Sequence, residues 1–301
     1  MVKTVLFAGL GNRLFQIASA YGLSRKTDTT FGLAIVCDEP AHNIRVSDYE
    51  FLYSRVSTEC SLDSTSVLPF LQMSVVIDIC AKKELKIETQ STFASEYEDF
   101  ENKPLSEKSV MFGYFQNEKY FSGEQNRKDI LALFKEPTEC LAGELIFSAV
   151  QKYSHLDLDD MYFIHIRMGD YMYPANRGIH FVDLRTYYKR AIEHIRAIDP
   201  NAKFVLFTDS PVAYKKLYSN IEGDIIDIID EKNPVVAFYM MIRCMKGGIC
   251  ANSTFSWWAA WMNNNPRKIV TIPSKWFNDE SAYHRGHVLD MDCATTIDVG
   301  E

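Results

Sequence analysis

The chain has 301 residues, a net charge of −8, and 47% hydrophobic against 24% charged residues. That length suggests roughly two domains, at ~100–200 residues each, and the composition is ordinary for a globular protein. The negative balance argues against wholesale nucleic-acid binding, which needs a basic face, and leaves room for a small anion held by a few local arginines.

Seven cysteines stand at Cys37, Cys60, Cys80, Cys140, Cys244, Cys250 and Cys293, an odd number, widely spaced and without a CxxC. They read as free thiols in a reduced compartment rather than as a disulfide framework. The histidines do not cluster with them, so no zinc site is suggested. The first residues run into a strand and turn, without a charged-then-apolar leader. No apolar run approaches the ~18–20 residues of a membrane span. On these signs the chain is expected to be complete and cytoplasmic, although a removed membrane anchor would leave no trace in this sequence.

Thr4 to Ala8 is a short apolar run, followed by Gly9-Leu10-Gly11-Asn12, and then Leu14, Ile17, Ala18 and Tyr21 recur at helical spacing. This predicts strand, glycine turn and helix. Glycines let the backbone approach a ligand or take a positive φ. The helix start offers N–H groups and a positive dipole end. Asn12 is placed to cap the helix or to bond a ligand. The full dinucleotide fingerprint is missing, and a purely structural turn reads the same way. Gly32 to Cys37 predicts a second strand, and Ser66 to Ile79 is apolar enough for a helix or a strand. The acidic residues 95–101 predict a solvated loop or helix face. Val110 to Tyr120 predicts a strand running into a turn, with a helix start at Asn117. Asp129 to Phe134 and Leu141 to Tyr153 predict helices, the second with Leu141, Leu145, Ile146, Ala149 and Val150 on one stripe. The polar residues 154–160 mark the expected boundary between domains 1–155 and 156–301.

The second half is punctuated more regularly. Tyr162 to Ile166 predicts a buried parallel strand, and His165, Arg167 and Asp170 emerge at its carboxyl end, with Gly169 at the turn. Carboxyl ends of parallel strands are where α/β proteins hold ligands. A histidine, a guanidinium and a carboxylate there suggest an anion site. A plain Arg–Asp ion pair at a strand end is the other reading. Asp183 is predicted to cap a helix reaching Ile198, and Phe204 to Phe207 to form a strand. Ser210-Pro211 opens a helix. Ile225 to Ile229 predicts a strand, and Asn233-Pro234 opens a helix that Gly247-Gly248 ends. Ile249 to Ala251 predicts a strand, Asn252-Ser253-Thr254 caps a helix over Phe255 to Met262, and Lys268 to Ile272 makes a fifth strand. Such alternation implies a parallel sheet with right-handed crossovers and helices on both faces. Thr208-Asp209-Ser210 and Asn252-Ser253-Thr254 add polar strand ends. The second joins hydroxyls to a helix N-terminus, chemistry suited to phosphate and equally to an ordinary cap. It is also a glycosylation sequon, without meaning in a cytoplasmic chain.

Taken in order, GLGNRLFQIA, GYFQNEKYF, HIRMGDY, FTDS and ANSTFSWWAAWM resemble glycosyltransferase family 11, the α-1,2-fucosyltransferases, from Ala8 to about Asn263. The resemblance implies an α/β, GT-B-like fold: two Rossmann-like domains facing each other across a cleft. The C-terminal domain would hold GDP-fucose and the N-terminal one mainly the acceptor. The implied reaction moves L-fucose from GDP-β-L-fucose to the 2-hydroxyl of a galactose-containing glycan, with inversion and without a metal. Arg167 matches the arginine that meets the donor diphosphate, and His165 and Asp170 complete that motif. Ser253, Thr254 and Phe255 match the segment around the phosphates, with Asp209 and Asn252 counted among the donor-binding residues. Gly11 and Asn12 match the N-terminal loop facing the cleft. Arg13 stands where glutamine is frequent, and Met168 where a second arginine is common.

Metal-dependent glycosyltransferases often carry DxD. The two such tripeptides here, Asp157-Leu158-Asp159 and Asp290-Met291-Asp292, read as solvated carboxylates away from the predicted strand ends. His165 and Asp170 are both candidates for a base, and Asp170 is read first as holding Arg167 in place. The other functional readings are a transferase using another nucleotide sugar and a catalytically silent nucleotide-sugar binder. Acceptor choice is expected to depend on residues 38–108.

Overall fold

The computed structural model describes residues 1–38, 50–56, 66–69, 71–89, 97, 108–278 and 289–300. The chain divides into two compact units, Met1–Cys140 and Leu141–Glu301.

The first unit is built from β1 (Val2–Leu6), α1 (Leu10–Lys26), β2 (Phe31–Cys37), α2 (Glu50–Val56), β3 (Ser66–Leu68), α3 (Met73–Lys82), β4 (Lys86–Thr89), β5 (Ser109–Phe112) and α4 (Glu124–Leu133). Its sheet is parallel, in the order β3-β2-β1-β5-β4. The apolar stretch from Ser66 resolves into a strand and a helix. β4 escapes a hydrophobic reading because its sequence, KIET, is mostly polar, as suits an edge strand facing water. Residues 95–101 lie outside the described set apart from Tyr97, whose hydroxyl accepts from Lys26 Nζ at 3.0 Å.

The second unit runs α5 (Leu141–Lys152), β6 (Tyr162–Ile166), α6 (Pro174–His180), α7 (Arg185–Ile198), β7 (Phe204–Thr208), α8 (Pro211–Leu217), β8 (Ile225–Ile229), α9 (Pro234–Ile242), β9 (Gly247–Ile249), α10 (Thr254–Met262), β10 (Ile269–Pro273) and β11 (Ala294–Ile297). Six parallel strands lie in the order β11-β10-β9-β6-β7-β8, one more than the alternation predicts. The unit begins at Leu141 rather than 156 because α5 packs on α9, burying Gly143, Ile146 and Ala149. Leu141 and Leu145, expected on the buried stripe, are exposed. The polar residues after Tyr153 form the turn that feeds β6.

Gly247-Gly248 belong to β9 and do not merely end a helix. A Cβ on Gly248 would sit 2.4 Å from the Phe163 ring, and Gly247 has a φ of 108°. Leu184, not Asp183, is the N-cap of α7, while the Asp183 carboxylate accepts from Arg185 N–H at 3.1 Å.

β6 is buried throughout. Tyr162, Ile164 and Ile166 face a core shared with Tyr187, Tyr188, Ile192 and Ile195 of α7. At ~1.5–3 kcal/mol per fully buried large apolar side chain, that contact anchors the strand and so fixes the residues at its end. No helix among the described residues is long and apolar enough to cross a membrane. Cys37, Cys80, Cys140, Cys244, Cys250 and Cys293 are free thiols.

Candidate active site

Both sheets contain a reversal. In the first, the chain steps outward from β1 to β2 and β3, then returns to β5 on the other flank of β1. In the second it steps from β6 to β7 and β8, then returns to β9 beside β6. At such a switch point the connections leave in opposite directions, and the crevice beyond the carboxyl strand ends is the usual ligand site. The motifs singled out in the sequence end at these two points.

Beyond β6, the Arg167 guanidinium is held between two carboxylates, with Nη2 donating to Asp170 Oδ1 and Nη1 to Asp209 Oδ2. The other Asp209 oxygen accepts the backbone N–H of Met168 at 2.9 Å and of Gly169 at 3.0 Å. Asp209, at the end of β7, is therefore the hub that ties its own strand to the turn after β6. Gly169 permits the approach, since a Cβ there would lie 2.6 Å from Asp209 Oδ2. Burial opposes the Arg167 charge, but Asp209 and Asp170 outweigh it and push its pKa up. The side chain keeps 28% of its surface exposed, and its N–H fan is only partly engaged. Met168, by contrast, is wholly in the core. A second arginine at that position would have to leave this packing.

His165 points to the sheet face opposite α7, its ring 5.5 Å from that of Phe255. Burial, reinforced by the Arg167 charge and opposed by Asp209, lowers its pKa to about 3. Nδ1 is buried with no hydrogen-bond partner among the described residues. The imidazole is thus neutral at physiological pH and poorly matched to a base, which works best with a pKa near the operating pH.

On the neighbouring strand, Asn252 is a brace. Its side-chain amide donates to His180 O at 2.9 Å and to Trp276 O at 2.8 Å, and its backbone carbonyl accepts the Tyr171 hydroxyl at 3.1 Å. Ser253 caps α10, with Oγ accepting Phe255 N–H at 3.3 Å. Thr254 and Phe255 form the first turn, where backbone N–H groups lack intrahelical partners. The tryptophans that follow are fully buried among themselves and hold α10 rather than a ligand. Arg167 and the α10 N-terminus therefore belong to adjacent strands, one on each side of the reversal.

In the first unit, Gly9 is the N-cap of α1, so Gly11 and Asn12 sit in the first helical turn rather than in a loop. Asn12 Oδ1 accepts from Gln116 Nε2 at 2.7 Å, linking the two strands of that reversal. Arg13 is completely buried, and its guanidinium is engaged by the protein itself. Its Nε donates to Ala8 O at 2.8 Å, Nη1 to the Tyr53 hydroxyl at 3.1 Å and Nη2 to Cys37 O at 2.6 Å. It fastens the β1–α1 turn to β2 and α2. Asp209 as hub, Tyr171 and Gln116 are the contributors that residue type alone did not single out. The FQN run after β5 was the available signal for Gln116.

The first DxD precedes β6, at the amino end of the sheet, where the adjoining Asp160 pairs with Lys203 at 2.8 Å and Lys246 at 2.9 Å. In the second, Met291 is buried and Asp290 O accepts Trp257 Nε1–H at 3.1 Å. Among the described residues, no three His, Cys, Asp or Glu side chains are grouped to hold a metal ion.

A family model described as glycosyl transferase family 11 matches residues 1–288. The chain belongs to glycosyltransferase family 11. It is 28% identical over 293 residues to the O-antigen biosynthesis glycosyltransferase WbnK of Escherichia coli, covering 90% of this chain and 93% of that one. It is 25% identical over 292 residues to an α-1,2-colitosyltransferase of Escherichia coli, covering 93% of each. Among solved structures, the α-1,6-fucosyltransferase NodZ soaked with GDP-fucose is similar at a TM-score of 0.45 and 15% identity, over 87% of this chain and 91% of that one. As a family 11 glycosyltransferase, the chain carries two successive parallel α/β units.

Proposed function

We propose that the chain transfers L-fucose from GDP-β-L-fucose to the 2-hydroxyl of a galactose-containing glycan, with inversion and without a metal ion. What carries this reading is Arg167 and the α10 N-terminus on adjacent strands of one switch point, in a family 11 chain. As the glycosidic bond breaks, negative charge builds on the β-phosphate of GDP. Preorganised donors must absorb it. A guanidinium bonds two phosphate oxygens at once and never loses its proton. Asp170 and Asp209 hold it in place beforehand, so it need not reorganise as charge develops. The first-turn N–H groups of α10 supply the second set of donors.

The fucosyl ring passes through an oxocarbenium-like state. The acceptor hydroxyl attacks the opposite face as GDP departs and loses its proton late, to water, so the weak basicity of His165 is no obstacle. Asp170 acts through Arg167. A second reading keeps this mechanism and changes the donor to GDP-colitose, the 3-deoxy analogue of GDP-fucose; the α-1,2-colitosyltransferase relative favours it.

The test is GDP release from GDP-fucose, GDP-colitose or UDP-galactose with a β-galactoside acceptor, with product linkage read by NMR. A fucosyl-α-1,2-galactoside as main product supports the first reading. Transfer from GDP-colitose alone moves the assignment to the second, and transfer only from UDP-galactose overturns both. Thermal stabilisation by GDP without any transfer identifies a silent binder.

A further inference from the structure

We propose that Gln116 is a sugar-hydroxyl subsite of the first unit, at which a pyranose hydroxyl donates to the side-chain carbonyl Oε1. The inference rests on the transferase reading above and assigns a residue to it. Gln116 is only 8% exposed. Its Nε2 donates to Asn12 Oδ1 at 2.7 Å, and its Oε1, bonded to no described residue, is still reached by solvent.

Its position is equally specific. β1 and β5 flank the reversal of the first sheet, and Gln116 and Asn12 stand just beyond their carboxyl ends. Both connections carry a left-handed residue that is not glycine: Ala8 with φ 61° after β1 and Phe115 with φ 51° after β5. The Asn117 N–H closes a tight turn on Phe115 O at 2.8 Å. Strained non-glycine residues persist where the surroundings over-determine them, and they cluster at ligand sites.

The chemistry narrows the ligand. A lone amide carbonyl accepts hydrogen bonds, so the matching ligand atom is a donor. A phosphate oxygen has nothing to donate, and the nearby cation, Arg13, is buried and engaged with Ala8 O, Cys37 O and Tyr53. A neutral hydroxyl fits. In this enzyme it has two sources, the fucosyl ring of the donor and the acceptor sugar.

The experiment uses the full chain with Gln116→Met, which keeps the side-chain length and removes both polar ends, and Gln116→Glu, which keeps an acceptor. Circular dichroism and melting curves confirm that each variant folds. Two arms follow: KM for donor and acceptor together with donor hydrolysis in water, and ligand-observed NMR with methyl β-galactoside and methyl α-L-fucoside. We expect Gln116→Met to raise one KM about tenfold, the scale of one hydrogen bond to a buried group, and Gln116→Glu to restore most of it. A rise in acceptor KM with unchanged donor hydrolysis assigns the acceptor sugar; a rise in donor KM with slower hydrolysis assigns the fucosyl ring. Folded Gln116→Met with both KM values and sugar binding unchanged overturns the proposal, as does Gln116→Glu being as impaired as Gln116→Met. If wild type turns over no nucleotide sugar, the transferase reading fails and the NMR arm decides alone. Sugar signals lost in Gln116→Met support the subsite, and wild type binding neither sugar overturns it.

Discussion

The two sheets reverse in the same way and furnish the reversal with opposite chemistry. Each has an arginine just past its leading strand. Arg167 keeps 28% of its side chain exposed and is held by two carboxylates. Arg13 is wholly buried and bonds two backbone carbonyls and a phenol. The first is a charge left partly exposed beyond its strand; the second is a charge used as a rivet, with the neutral amides of Asn12 and Gln116 beside it. Topology tells where a ligand sits, and the partners of the guanidinium tell whether it meets that ligand.

The largest expected effect falls on the rivet. Arg13→Met removes the charged donor bonded to Ala8 O, Cys37 O and the Tyr53 hydroxyl, at about 1.5–3 kcal/mol for each hydrogen bond to a charged group. Denaturant unfolding should register the loss, while activity per folded molecule changes little. A larger loss of kcat than of stability would break the contrast. Arg167→Ala should do the reverse, lowering transfer by ~10²-fold or more, the scale of losing one preorganised charge-stabilising donor, with a modest change in unfolding midpoint. Near-normal turnover would remove Arg167 from the site.

His165 gives a smaller, pH-dependent effect. Its folded pKa, about 3, lies below the unfolded value of ~6.5, so the unfolded state binds the proton more readily. Stability is then intact above ~6.5 and falls as pH drops from there towards 3, by up to about 1.4 kcal/mol per pH unit. His165→Gln should flatten that slope between pH 7 and pH 5, and equal slopes in the two proteins would place His165 in water. The smallest expected effect is that of chelator. Turnover measured with and without EDTA should agree, and loss restored by a divalent cation would reopen the role of the two DxD tripeptides.

Much of this was visible in the sequence, for physical reasons that differ along the chain. Proline and asparagine mark the starts of α8 and α9, and β6 is apolar but for His165, so the second unit could be read strand by strand. β4 and β11 could not, because KIET is mostly polar and ATTI half-polar, as edge strands can be. Arg167 and Asp170 were found by type and spacing. That Asp209 reaches back to Arg167 and to the turn beside it depends on parallel pairing between β6 and β7, a relation across forty residues that no local pattern carries. Asn252 looked like a phosphate ligand by its place before a helix, and its amide turns out to bond His180 O and Trp276 O. Residue type gave the same signal for both roles.

The clamp on Arg167 also bears on how a donor arrives. One positive group between two negative ones leaves a net charge of −1 at that point, on a chain whose total is −8. On the proposed function, a nucleotide diphosphate-sugar approaches against the field and is attracted only once it is close enough to bond the guanidinium directly. Steered association slows as salt screens it; capture here should quicken with ionic strength until screening also weakens the contact itself. The arginine acts as a short-range latch, not as a beacon.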